Sequence, residues 1–212
     1  MVTAQPGVPR IGVLALQGGV REHIDALAAL QALPVPIRRP ADLVGPDGVR
    51  VDGLVLPGGE SSVLDRLARI FELTNPLREV IAQGLPTLGT CAGLILLARE
   101  IENPAPGQTS LGVLDVTVDR NAFGSQVHSE VADVDTVWGP VRAAFIRAPR
   151  IVRVGEGVRE AARHRGQVVA VEQGNVIGIA FHPELTGDTT VHRRLLQLVS
   201  APSCDEGPAA RQ

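Results

Sequence analysis

The stretch Pro86-Thr87-Leu88-Gly89-Thr90-Cys91-Ala92-Gly93-Leu94-Ile95-Leu96-Leu97 holds an extended segment, a tight turn and the start of a helix in one short run. Glycines on both sides of Cys91 permit a turn too sharp for larger residues. A cysteine there is held clear of a sheet, where a strand passes into a helix running to about Glu100. The same pattern recurs towards the N-terminus. Val51 to Leu56 reads as a strand that stops at Pro57-Gly58-Gly59, and a helix follows from Ser61 or Ser62, whose hydroxyl caps free N–H groups. Ile11 to Leu16 is an apolar run ending at Gln17-Gly18-Gly19, after which Ile24, Leu27, Ala28 and Leu30 carry helical spacing over Val20 to Leu33. Val35 to Arg38 supplies another short strand, and a helix restarts at Asn75-Pro76 and runs through Gln83. This alternation predicts an α/β fold with a mostly parallel sheet covered on both faces.

Beyond Leu111 the period changes to two. Val113 to Val118, Val127 to Val134, Val141 to Ile146, Val168 to Glu172 and Val176 to Phe181 read as later, partly antiparallel strands, closed by a helix from Thr189 to Val199. The expected organisation is a flexible extension over residues 1–9, one domain over 10–200 and a disordered tail over 201–212.

Composition narrows the chemistry. A net charge of -3 gives no electrostatic reason to bind nucleic acid, and aromatic residues at 2% leave few stacking platforms for bases. Every basic residue is arginine, so individual guanidinium groups are the candidates for carboxylate recognition. Cys91 and Cys204 form neither a disulfide framework nor a metal-ligand spacing, which favours a reducing cytoplasm. The residues from Met1 to Pro9 lack the basic and apolar pattern of an export signal, and the apolar run at Leu94 to Ala98 is too short to cross a bilayer.

At a helix N-terminus, the dipole and free N–H groups favour a thiolate, which makes Cys91 a candidate nucleophile. A lone apolar-flanked cysteine is also how a buried core cysteine looks; the flanking glycines favour the reactive reading. A thiolate that expels ammonia from an amide needs a general acid, and His182 in Phe181-His182-Pro183-Glu184 supplies one. Extended geometry would put Glu184 on the same side, where it would orient the imidazole. In Leu56-Pro57-Gly58-Gly59-Glu60-Ser61-Ser62, the N–H groups of Gly58 and Gly59, with that of Ala92, are candidates for an oxyanion hole. That segment is no phosphate loop, since the pattern and its lysine are absent. Gln17 ends the first strand, at the edge where open α/β sheets bind ligands, and is assigned to the active-site or interface edge. His23, His128, His164 and His192 show no metal-ligand spacing and are read as surface or structural, with His23 a candidate to face a partner. No metal or organic cofactor is called for.

Taken in order, Gly12 to Gly18, Pro57 to Ser61, Gly89 to Ala98, Arg120 to Gly124, Phe145 to Pro149 and Phe181 to Leu185 resemble segments of class I glutamine amidotransferases. More narrowly, they resemble the glutaminase subunit family of pyridoxal 5′-phosphate synthase, the PdxT type. The resemblance covers Ile11 to about Val199 and implies a flavodoxin-like three-layer sandwich, its central sheet mostly parallel and flanked by helices. It implies Cys91, His182 and Glu184 as a triad, with glutamine contacts from Gly59, Glu60, Ser61, Arg120, Ile146 and Arg147. A free amino acid presents a carboxylate and an ammonium, which call for a guanidinium and an acceptor, so the arginines fit. The resemblance further implies L-glutamine as substrate and, as partner, a TIM-barrel synthase subunit of the PdxS type, in a large hetero-oligomer that receives the ammonia.

Two departures from the family pattern stand out. Ser62 replaces a common threonine and keeps a capping hydroxyl, whereas Ser125 in Phe123-Gly124-Ser125-Gln126 removes a guanidinium. Three rival readings share parts of this pattern: an amidotransferase of another pathway or a γ-glutamyl peptidase, an idle scaffold, and a thiol redox sensor. Intact Cys91, His182 and Glu184 argue against the scaffold, and the lack of a Cys-x-x-Cys pair argues against the sensor.

Overall fold

The structure is a computed structural model and describes residues 7–120 and 129–201. In chain order its elements begin with β1 (Arg10–Leu14), α1 (Val20–Ala29), β2 (Leu33–Ile37), α2 (Pro40–Leu43) and the small hairpin of β3 (Val44–Gly45) and β4 (Gly48–Val49). There follow β5 (Gly53–Leu56), α3 (Ser61–Ile70), α4 (Thr74–Ala82), β6 (Thr87–Thr90), α5 (Ala92–Leu97), β7 (Ala98–Glu102) and β8 (Leu114–Asp119). The second half runs β9 (Glu130–Thr136), β10 (Gly139–Phe145), β11 (Arg150–Val154), β12 (Arg159–His164), β13 (Gln167–Gln173), β14 (Val176–Ile179) and α6 (Thr190–Ser200).

The main sheet has nine strands in the order β10-β9-β12-β13-β14-β6-β5-β1-β2. From β2 to β14 all pairings are parallel, and from β14 to β10 all are antiparallel, so of the strands expected after residue 111 those in β9, β10 and β13 are antiparallel while β14 joins the parallel half. Strands β5, β6 and β14 are buried at every position, as parallel strands covered on both faces must be. Their registers, Leu56↔Gly89 and Thr90↔Ile179, bring their carboxyl ends to one edge. Gly58, Cys91 and His182 all follow from those ends, and Gln17 follows from β1 beside them. Open α/β sheets bind ligands at that edge. The core beneath is aliphatic; Leu54, Leu56, Leu88, Leu97 and Ile177 are fully buried, and truncating such a leucine costs about 2–5 kcal/mol.

Three local expectations change. The helix after Cys91 ends at Leu97, short of Glu100, because Ala98 turns extended (φ -53°, ψ 147°) and β7 pairs in parallel with β8. Cross-strand contacts from Arg99 to Asp115 (3.3 Å) and from Thr117 to Glu100 (3.1 Å) hold that pairing. Strands β11 and β12 have no counterpart among the expected elements. Arg159-Glu160-Ala161-Ala162-Arg163-His164 has no β-branched residue and is a strand through its pairing with β13 and β9. The expected terminal extension and tail fall mostly outside the described residues, as does the start of the segment expected to be a strand from Val127. Among the described residues, no helix is long and apolar enough to cross a membrane.

Candidate active site

Cys91 sits between β6 and α5 with φ 49° and ψ -101°, a conformation that costs an L-residue about 1–3 kcal/mol. The surroundings impose it. Its N–H donates to the Ile179 carbonyl at 2.8 Å and its own carbonyl accepts from the Ile95 N–H at 3.2 Å. The glycines make the turn sterically feasible: a Cβ at Gly93 would lie 1.9 Å from the Leu56 carbonyl oxygen, and one at Gly89 would lie 2.5 Å from Leu97 Cδ1. Ala92 opens α5, so its N–H has no acceptor within the helix and remains directed at the turn.

His182 follows β14 and is tied to the end of β10 by a bridge: its N–H donates to the Ala144 carbonyl at 2.8 Å. Its Nδ1 lies 2.7 Å from Glu184 Oε1, and the ring and Cys91 Cβ converge on the same point, 2.2 Å (Cε1) and 3.3 Å from where a Gly58 Cβ would lie. Burial pulls the imidazole pKa down, but the hydrogen bonds and negative charges of Cys91 and Glu184 outweigh it and carry the value up to about 10. The ring is therefore held protonated. The route by which Glu184 reaches it differs from the expected extended strand. Pro183 is helical (φ -70°, ψ -29°), and a 3₁₀ turn over Glu184–Thr186 swings the carboxylate back under the ring.

The Gly58-Gly59-Glu60-Ser61 segment faces this pair. A Cβ on Gly58 would fall 2.2 Å from His182 Cε1 and 3.3 Å from Cys91 Cβ, so only glycine lets the loop approach both. The Gly58 carbonyl is held away by the Gly19 N–H at 3.2 Å. Gln17 braces the loop by exchanging hydrogen bonds with the Glu60 backbone, each at 3.2 Å. Glu60 caps α3, accepting from the Val63 N–H at 3.0 Å and from both the N–H and the hydroxyl of Ser62. Arg120 completes the corner, donating from Nη2 to Glu60 Oε1 at 2.8 Å and from Nε to Ser61 Oγ at 3.0 Å. Partial burial would raise the Glu60 pKa, but donors on Ser62, Arg120 and Val63 bring it to about 2, so the carboxylate stays ionised.

Beyond β10, Ile146 is 40% exposed and Arg147 takes φ 46°. Arg147 lines the cleft and forms no ion pair with another described residue. These residues enclose one cleft of about 670 Å³. Cys91, His182, Glu184, Gly58, Gly59, Glu60, Ser61, Arg120, Ile146 and Arg147 all line it. That size suits a small metabolite; a neighbouring cavity beside Phe145 and His164, about 100 Å³, contains none of the three candidate catalytic side chains. Gln17, bonded to the Glu60 backbone, and the buried Ala92 are not among the residues that line the cleft. Among the described residues no group of side chains is arranged to hold a metal ion.

The structure corrects the partner-facing reading of His23 and, of the surface or structural alternatives for His192, takes the structural one. His23 and His192 are completely buried, and His23 faces the interior behind Glu184 where a partner-facing position was expected. Helical spacing could have found both, because His23 shares the buried stripe of α1 with Leu27, and His192 that of α6 with Leu195. His164 is partly buried against Glu130 at 2.9 Å. His128, Ser125 and Cys204 lie outside the described residues.

A strand-edge cleft of this kind on a parallel sheet places the chain in the class of α/β glutamine amidotransferases. A solved structure described as the crystal structure of a glutamine amidotransferase is 42% identical, with a TM-score of 0.82 over 90% of this chain and 99% of that one. Residues 13–200 match the model of the SNO glutamine amidotransferase family, and the chain belongs to that family. Its relatives include "Pyridoxal 5′-phosphate synthase subunit PdxT" of Kineococcus radiotolerans, 54% identical over 90% of this chain and 95% of that protein. The protein of the same name from Nocardia farcinica is 50% identical over 93% of this chain and 89% of its own length. PurLQS of Thermotoga maritima, at 19% identity and a TM-score of 0.67 over 91% of this chain and 97% of its own, shares the fold alone.

Proposed function

We propose that this chain is the glutaminase subunit of a pyridoxal 5′-phosphate synthase, hydrolysing the side-chain amide of L-glutamine through Cys91, His182 and Glu184. The observation that carries the mechanism is the strained Cys91 beside an imidazole that Glu184 holds at 2.7 Å, with the charges of both neighbours favouring its protonated form. The Cys91 thiolate attacks the amide carbon, and the N–H of Ala92, with one from the Gly58-Gly59 turn, receives the oxyanion. His182 gives its proton to the departing nitrogen, so ammonia leaves and a glutamyl thioester remains on Cys91. The now neutral His182 takes a proton from water, the resulting hydroxide attacks the thioester, and glutamate departs as the thiolate and imidazolium are restored. Each cycle consumes one glutamine and one water and releases one glutamate and one ammonia.

Recognition of the amino-acid end follows from charge. Arg147, free of ion pairs among the described residues, is suited to the α-carboxylate, and the Glu60 carboxylate, steadied by Arg120, is suited to the α-ammonium. Ammonia in neutral water is mostly protonated and then not nucleophilic, so a sheltered route to a synthase subunit is part of the function. A TIM-barrel partner of the PdxS type in a large hetero-oligomer fits that need, and a free-thiol nucleophile fits a reducing cytoplasm. The test is glutamate release from L-glutamine by the purified chain, alone and with the synthase subunit. Release that rises on adding the synthase supports the reading, and no release in either condition sinks it.

A further inference from the structure

His23 and His192 are buried titratable groups that the mechanism above does not use. They come from opposite ends of the chain, on α1 and α6, and meet directly behind the site with His23 Nδ1 2.8 Å from His192 Nε2. The other ring nitrogen of His23 points to the site: Nε2 lies 3.2 Å from Oγ1 of Thr90, the residue before Cys91, and 3.6 Å from Glu184 Oε1. Glu184 thus meets two histidines through one oxygen, His182 in front and His23 behind, while its Oε2 is buried without a hydrogen bond from a described residue. The titratable groups facing His23 are His192 on α6 and His182 and Glu184 after β14.

The hydrogen bonds select a tautomer. If His23 donated from Nδ1, its Nε2 lone pair would confront the Glu184 carboxylate, and the His192 proton would sit on Nδ1, which is buried without a partner. In the other arrangement His192 Nε2 donates to His23 Nδ1, and His23 Nε2–H turns towards Thr90 and Glu184. The orphan is then a bare acceptor on His192 Nδ1, a cheaper defect than a buried orphan donor. Burial, the main influence on both rings, favours their neutral forms.

We propose that His23 is a positioning residue for the amidase machinery: locked by His192 with its proton on Nε2, it presents an N–H to Glu184 and Thr90 and so fixes the carboxylate that aligns His182. The inference rests on the assignment of Cys91, His182 and Glu184 made above. The experiment measures glutamine hydrolysis in the presence of the synthase subunit, across pH, for wild type, Cys91→Ala, His23→Leu and His23→Gln. His23→Leu is expected to lower kcat about tenfold or more with KM for glutamine unchanged, and to move the alkaline limb of the kcat profile to lower pH. His23→Gln, whose amide can donate from the place of Nε2, is expected to recover most of the loss. Nitrogen-15 spectra of wild type are expected to show His23 neutral with the proton on Nε2, a readout that survives even if His23→Leu does not fold. Unchanged kcat and pH profile in a folded His23→Leu, failure of His23→Gln to restore activity, or a proton on Nδ1 of His23 would each overturn the proposal. Full activity in Cys91→Ala would instead overturn the underlying triad, so the two failures are distinguishable.

Discussion

Gln17 and Glu60 are joined by two reciprocal hydrogen bonds, side chain to backbone, each 3.2 Å long and spanning 43 positions of sequence. The clasp fixes the peptide next to Gly59, whose φ of 152° and closeness to the Gln17 amide, 2.5 Å from where a Cβ would lie, leave no room for a side chain. Gln17→Ala is expected to lower glutaminase kcat/KM at least tenfold while costing only about 1–2 kcal/mol of stability, since each bond is worth about 1 kcal/mol. Steady-state kinetics beside a denaturation curve separate the two effects. Wild-type kinetics in a folded variant would contradict the bracing role.

Gly58 is the tightest steric constraint in the cleft. A methyl group there would fall 2.2 Å from His182 Cε1, so Gly58→Ala must displace either the imidazole or the loop. Loss of activity by two orders of magnitude or more is expected, with a folded protein by circular dichroism. Retained activity would mean that the loop does not approach His182 in the working enzyme.

These two residues illustrate what could be read from the sequence and what could not. The glycines around Cys91 and at residues 58 and 59 signalled turns because only glycine tolerates such approach, the need for a general acid and its orienting carboxylate singled out His182 and Glu184, and the family resemblance added Glu60 and Arg147. The parallel half of the sheet was legible from strand–glycine–helix repeats, whereas β12 was not, since its residues have little strand preference and form a strand through their pairing with β13 and β9. Short β7 hid within an apparent helix because the pairing with β8 is a tertiary event. The surface-or-structural reading of His23 and His192 left their burial undecided, although helical phase puts both on buried stripes, and only the guess that His23 faces a partner is overturned.

Glu184 raises the pKa of His182 through its hydrogen bond and its charge, so removing the charge must lower it. A group that has to be protonated for leaving-group departure then loses its proton at lower pH. Glu184→Gln is expected to shift the alkaline limb of the kcat profile from the neighbourhood of pH 10 by at least one unit downward, besides lowering the maximum. An unshifted limb would show that Glu184 does not set the charge state of the imidazole.

The buried histidines also make the fold sensitive to acid. Burial lowers the His192 pKa to about 4, against an ordinary 6.5, with Asp188 opposing weakly; His23 is lowered too, by burial first and by His192 and His182 next. Between pH 6.5 and 4 the unfolded chain therefore binds protons that the folded chain refuses, so stability falls as pH falls. His192 contributes a slope of about 1.4 kcal/mol per pH unit in that window. Urea midpoints measured from pH 7 towards pH 4.5 should drop less steeply in His192→Leu than in wild type; equal slopes would contradict neutral burial.

The most direct test of the central claim is acid-quench trapping with radiolabelled glutamine in the presence of the synthase subunit, followed by mapping of any label bound to the chain. The expected result is a hydroxylamine-labile label on the peptide that contains Cys91, and no label in Cys91→Ala. Glutamate release in Cys91→Ala, or label on any other residue, would contradict the assignment of Cys91 as the nucleophile.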